Sequence, residues 1–343
     1  MLMSLKNIIK STALFRYYVE YRLKVNEKKR FEKEASEYIE KSVLSDYRKC
    51  YKRYRISPSE YMQYDFIGKN DSYREEFISR SMMQKVYRQL VDNNIRGSFY
   101  NKVDFLLNFK SYINRKWIVA NDKCDIEKIK NILIQHDVVV KPIEGSLGEG
   151  IYKIKRNEIK NIDELSEKLI KENVLIEECI KACPEIEEFH PSSLNTIRVV
   201  TISNGEKSEV LGSFIRFGCH GNVVDNAHAG GVFATIDIKT GKVISNGLDT
   251  DGNEYEVHPD SNKIIKGFMI PNWNKVKDVC ERASRHISEL KFCGWDCVVL
   301  PSGEVDIIEG NHGPDVDVMQ SPLKNGIKQL IKTKLLEYFN YKL

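Results

Sequence analysis

Lys141–Ile154 reads KPIEGSLGEGIYKI and follows the apolar run Val138-Val139-Val140. A β-branched run that delivers Lys-Pro and then three glycines within six residues predicts two strands joined by a loop whose backbone can approach a ligand. Glycine lacks the Cβ that would block such an approach, and successive N–H groups can converge on an anion. Phosphate is the natural candidate. The pattern also fits an ordinary glycine-containing hairpin loop, and it matches neither G-x-x-x-x-G-K-[ST] nor G-x-G-x-x-G, so the rest of the chain must decide.

Outward from this loop the chain alternates. DIEKIKNILIQH predicts a helix before it, while NIDELSEKLIKEN and VLIEECI predict a helix and a strand after it. The region from 195 to 245 is strand-rich, with NTIRVVTIS, EVLGSFIRF and GGVFATIDI. A helix of period 3.6, NWNKVKDVCERASRHISEL, leads to WDCVVLPSGEVDIIEGN, a hairpin turning at Pro301-Ser302-Gly303, and SPLKNGIKQLIKTKLLEYF closes the chain as an amphipathic helix. Residues before about 95 are helical instead, with a capping-box start at Ser57-Pro58-Ser59-Glu60. The order predicts an α+β protein with mostly antiparallel sheets, divided into a helical lobe (1–95), a small lobe carrying the Gly-rich loop (96–180) and a C-terminal lobe (181–343).

The 343 residues are 41% hydrophobic and 30% charged, enough for a sizeable core. No run reaches the ~18 apolar residues of a membrane span, and MLMSLKNIIKSTALF lacks a long apolar stretch with a small-residue cleavage site, so the expectation is a cytoplasmic protein. Eight scattered cysteines read as reduced core residues rather than as a zinc site, despite two C-x-x-x-C pairs. The net charge of +4 is uneven: residues 1 to 60 hold fifteen Lys or Arg against eight Asp or Glu, and nine of the 17 tyrosines lie between Tyr17 and Tyr64. This basic, Tyr-rich lobe reads first as a packed helical lobe with solvated lysines. An anionic membrane surface or an acidic substrate comes next as a partner, and nucleic acid is not expected.

Asp296, Glu309 and Asn311 are the most telling polar residues. Asp296 opens one strand of the hairpin while Glu309 and Asn311 close the other, on one face because side chains alternate, so antiparallel pairing gathers the three at one end of the sheet. A carboxylate in an otherwise apolar strand calls for a cation, and three hard oxygen donors suit Mg²⁺ that shares its shell with phosphates. The phosphate loop and the metal cluster together point to a nucleoside triphosphate. VLIEECI could offer backbone groups to an adenine edge, and taken alone reads equally as a strand end entering a turn. Arg198 and Arg216, unusual inside strand patterns, call for anionic partners. In DNAHAGGV, residues 225–232, His228 is a substrate contact or a turn residue.

In order and spacing, Lys102 in NKVDF, VVVKP with GSLGEG, IEECI, SLNTIRVVT, FIRFG, DNAHAGG and finally WD with IEGN resemble the ATP-grasp superfamily, and within it the group associated with sugar-transfer and capsule-synthesis genes. The resemblance covers most of the chain. It implies two α+β lobes gripping ATP between antiparallel sheets, with Lys102 and Lys141 on the phosphates and GSLGEG, including Ser146 and Gly148, closing over them. It further implies that Glu177, Glu178 and Ile180 border the adenine, and that Asp296, Glu309 and Asn311 hold the magnesium, as two ions. Arg198 and Arg216 would stabilise the transferring phosphoryl group, while Asn226, His228 and Gly231 line the acceptor side. The implied activity is an ATP-dependent carboxylate–amine ligase acting through an acyl phosphate on an acidic sugar or polysaccharide precursor. A phosphotransferase using a hydroxyl acceptor, or a non-catalytic adaptor contacting a glycosyltransferase or membrane surface through the basic lobe, are the alternatives.

Overall fold

The computed structural model describes residues 13–145, 150–221 and 230–343. Two antiparallel sheets dominate it. The smaller has strands β1 (Trp117–Ala120), β2 (Val138–Pro142), β3 (Tyr152–Ile154) and β4 (Val174–Glu178) in the order β1-β4-β2-β3. Its Val138, Val140 and Ile176 face helices α8 (Ile126–Gln135) and α9 (Ile162–Glu172), where Ile129, Leu133 and Leu169 complete a dry cluster. Alternation then turns Lys141, Leu175 and Glu177 to the other face. Asn161 caps α9 by accepting from the backbone N–H groups of Asp163 and Glu164.

The larger sheet has seven strands in the order β11-β10-β5-β6-β7-β8-β9: β5 (Ile197–Ser203), β6 (Ser208–Phe217), β7 (Val232–Ile236), β8 (Gly247–Leu248), β9 (Glu254–Tyr255), β10 (Phe292–Val299) and β11 (Val305–Asn311). One face packs on α11 (Trp273–His286) through Ile197, Val199, Trp295 and Cys297. The buried indole of Trp295 donates to Thr201 Oγ1 and Ser284 Oγ, so its polar edge is satisfied in the core. The opposite face is covered at one end by α5 (Arg80–Leu90) and α12 (Lys328–Phe339), which meet Val200, Ile202 and Phe292. Its other end, with Arg198, Phe214 and Arg216, faces the small sheet across a cleft.

Helices α1 (Ala13–Tyr38), α2 (Leu44–Tyr54), α3 (Pro58–Gln63) and α4 (Asp71–Glu75) precede these and pack Tyr47, Tyr61, Tyr64 and Phe66 into a separate aromatic cluster. The expected start at Ser57 forms a complete capping box with Glu60. Helices α6 (Asn93–Tyr100) and α7 (Lys102–Asn108) bring Phe99 and Phe105 onto the large sheet beside β11, and the short α10 (Pro184–Glu187) follows β4. The order of elements matches the sequence reading, with three differences. The hairpin's first strand begins at Phe292, not Asp296, because Phe292–Trp295 pair with β5, and Gly294 and Trp295 with β11 as well. The closing helix starts at Lys328, after a run of turns. Strands β8 and β9, only two residues each, carry too little periodicity to be read in sequence. All eight cysteines are free and six are buried.

Candidate active site

This end of the large sheet and the inner face of the small sheet enclose a cleft of about 660 Å³, within the ~300–1,000 Å³ usual for small-molecule sites. From one side come Lys102, Lys141 and Glu177, and from the other Arg198, Arg216, Glu309 and Asn311. Leu175, Phe214 and Phe233 supply apolar wall.

On the large sheet, register explains the convergence. Asp296 lies directly opposite Glu309 on one side and Arg198 on the other. Arg198 grips both oxygens of Asp296, with Nη2 2.8 Å from Oδ2, and Arg216 Nη2 is also 2.8 Å from Oδ2. Burial would raise the Asp296 pKa, but the two guanidinium groups outweigh it and hold the carboxyl well below the usual carboxylate range. Glu309 has no such grip. Its enclosure by protein, and then the neighbouring Asp296 charge, push it up to about 7. The side chain still reaches the water of the cleft, which limits the energetic weight of that shift. Gly310, between Glu309 and Asn311, faces away: a Cβ there would meet the Phe99 ring at 2.6 Å and the Phe105 ring at 3.0 Å.

On the small sheet, Glu177 is 2% exposed and accepts ion pairs from Lys141 and Arg115, the latter at 2.7 Å. Burial raises its pKa, yet Lys141 and then Arg115 overcome this and lower it to about 2. Arg115 also pairs with Asp306 on β11 and donates to the carbonyls of Ile307 and Ile308 at 2.8 and 3.1 Å. One buried guanidinium thus ties the two sheets together behind the cleft. Lys102 opens α7, which Asn101 caps, and its ammonium donates to the carbonyls of Pro142 and Gly145, each at 3.0 Å. Burial and then the nearby Lys141 lower the Lys102 pKa.

Seven of the expected site residues therefore share the cleft, and Asp296 lies just beneath its floor. Glu178 points the other way, to His136 Nδ1 at 3.2 Å and the Lys116 N–H at 3.1 Å, as strand alternation requires. Ile180 is partly buried against the large-sheet core and Gly231 is buried immediately before β7. Ser146, Gly148, Asn226 and His228 lie outside the described residues. Arg115 and Asp306 escaped the sequence reading. Asp306 carried the signal that singled out Asp296, a carboxylate inside an apolar strand.

The donor set suits magnesium. Glu309 and Asn311 offer hard oxygens beside Asp296, a donor set of the kind that octahedral oxygen coordination of Mg²⁺ requires. Asp296 is already engaged by both arginines, so Glu309 and Asn311 are the readier ligands. Asn311 Oδ1 accepts from the Gly313 N–H at 3.1 Å, which fixes its orientation.

Two antiparallel sheets clasping a cleft lined by lysines, arginines and oxygen donors define the ATP-grasp architecture. The chain belongs to the sugar-transfer associated ATP-grasp family, whose model matches residues 72–334. Solved structures similar to it include the ADP complex of an N5-carboxyaminoimidazole ribonucleotide synthetase (8% identity, TM-score 0.43, 71% of this chain and 53% of that one). Others are the ATP-grasp ligase PsnB with minimal precursor, Mg and ADP (12%, 0.41, 71% and 61%) and an L-amino acid ligase from Bacillus licheniformis (14%, 0.40, 68% and 48%). The chain thus spans roughly half to three-fifths of the length of those structures. No curated protein matches the sequence.

Proposed function

We propose that this protein is an ATP-dependent carboxylate–amine ligase that activates a substrate carboxylate as an acyl phosphate and lets an amine displace the phosphate. The acceptor is an acidic sugar of a polysaccharide precursor, and the work is done in the cytoplasm. The observation that carries this reading is the meeting of Lys102 and Lys141 with Arg198, Arg216, Glu309 and Asn311 across one cleft. Such a set neutralises and positions a transferring phosphoryl group, which is most of what phosphoryl transfer requires of a protein.

Lys102 and Lys141 neutralise the phosphates from the small-sheet side, with Lys141 oriented by Glu177. Arg216 and Arg198, anchored on Asp296, present fixed positive charge where the carboxylate and phosphoryl oxygens meet. Magnesium held by Glu309 and Asn311, as one or two ions, supplies further neutralisation of the phosphates when bound. No protein nucleophile takes part, because the carboxylate attacks the phosphoryl group and the amine attacks the acyl carbon.

The test is ATP turnover with Mg²⁺ against a panel of uronic acids crossed with amino acids, scoring ADP, AMP and free phosphate. ADP with phosphate, dependent on both a carboxylate and an amine, is the expected result. ADP with a stable phosphorylated product and no amide would replace the reading by a phosphotransferase, and absence of nucleotide binding would replace it by an adaptor.

A further inference from the structure

A second and larger cavity, of about 1230 Å³, opens between α1, α3, α5 and the chain's last residues. Ser59, Gln63, Arg80 and Thr250 line both it and the ATP cleft, so the two adjoin at these residues. Among the described residues its wall holds eight Lys or Arg side chains against four Asp or Glu. Several of the arginines are neutralised locally: Arg55 by Glu27, Arg53 by Asp71 and Glu75, and Arg80 by Asp315 and Asp317. Lys24, Lys85, Arg88 and Lys342 are exposed and have no ion pair among the described residues. Lys85 and Arg88 lie one helical turn apart on α5. A concave wall with surplus charge of one sign concentrates ligands of the other.

We propose that this groove binds an extended acidic oligosaccharide and delivers its terminal carboxylate past Arg80 into the cleft. The inference rests on the ligase reading and adds that the acceptor is a chain rather than a single sugar. Three observations favour such an occupant. The volume exceeds the ~300–1,000 Å³ that suits a drug-sized ligand. Uncharged hydrogen-bonding side chains, among them Asn26, Ser59, Gln63 and Gln84, are interspersed with the cations, as a polyhydroxylated chain requires. Among the described residues, only two aromatic rings on which single-stranded nucleic acid would stack line this wall, Phe31, which is 4% exposed, and Tyr341.

The experiment titrates the full chain, without ATP, with mono-, di-, tetra- and hexagalacturonate, with neutral maltohexaose, and with single-stranded oligothymidylate. The same titrations use the Lys85→Glu/Arg88→Glu variant, and Mg-ADP binding is measured separately for both proteins. We expect affinity to rise with uronate length, maltohexaose to bind weakly, and the variant to lose about tenfold or more in hexagalacturonate affinity while Mg-ADP binding and thermal midpoint stay unchanged. Length-independent uronate binding, equal binding of maltohexaose, tighter binding of oligothymidylate, or a variant with undiminished affinity would overturn the groove assignment and leave the ligase reading intact. Length-dependent uronate binding without any Mg-ADP binding would keep the groove and remove the ligase.

Discussion

Glu177 shows how a single carboxylate can be made into a structural charge. Burial opposes its ionisation, but Lys141 and Arg115 bring its pKa from 4.5 down to about 2. A depressed folded pKa means that the native state holds the group ionised where the unfolded chain has already taken up a proton, so the stabilisation is complete above pH 4.5 and is lost as the pH falls toward 2. Urea midpoints should therefore fall across that window in the native sequence and fall less steeply in Glu177→Gln. The variant should also be weaker at neutral pH by about 3–5 kcal/mol, since two buried cations lose their partner. Asp296 and Glu309, side by side, divide differently. Asp296→Asn leaves Arg198 and Arg216 without their anchor and should lower unfolding free energy by about 3–5 kcal/mol. Glu309→Gln should leave the denaturation midpoint nearly unchanged while removing ATP turnover, and loss of stability with retained turnover would reverse the two assignments.

At the scale of the element, the hairpin of β10 and β11 works through its two faces. Glu309 and Asn311 reach the cleft, while Gly310 gives Phe99 and Phe105 room to press against the strand from behind. Gly310→Ala should cost about 1–3 kcal/mol through overpacking, read as a shift in the denaturant midpoint, and a neutral result would mean that α6 and α7 can retreat. The polar end of this hairpin was legible in the sequence because a carboxylate inside an apolar strand has few tolerable environments, and alternation assigns Glu309 and Asn311 to one side. The same alternation separates Glu177 from Glu178, a distinction that the run of two glutamates did not declare. Arg115 was not legible. It sits in a loop ahead of β1, and its partners Glu177 and Asp306 lie 62 and 191 residues away, so only the assembled sheets bring them within reach. The start of α12 was lost for a different reason: turn residues ahead of it keep an apolar rhythm without a helix.

Across the whole molecule, the dry clusters behind the two sheets flank one wet seam. Helix α5 lies in residues read as the helical lobe, yet Met83, Val86 and Tyr87 share a core with the back of the large sheet, and Tyr87 Oη donates to the Pro314 carbonyl at 2.7 Å. That contact joins the basic groove's main helix to the loop following Asn311. Among the described residues no helix is long and apolar enough to cross a membrane.

The guanidinium of Arg115 carries one more consequence, for cooperativity. Melting of either sheet breaks the buried bridge in which Arg115 joins Glu177 of the small sheet to Asp306 of the large one; Glu177 keeps Lys141, so the charge left behind is that of Asp306. Heating should therefore give one endotherm for both sheets, with calorimetric and van't Hoff enthalpies in agreement. In Arg115→Met the endotherm should broaden or split, and an unchanged single peak would show that the sheets are latched elsewhere. The residue that the sequence hid most thoroughly is the one that makes two folding units behave as a single one.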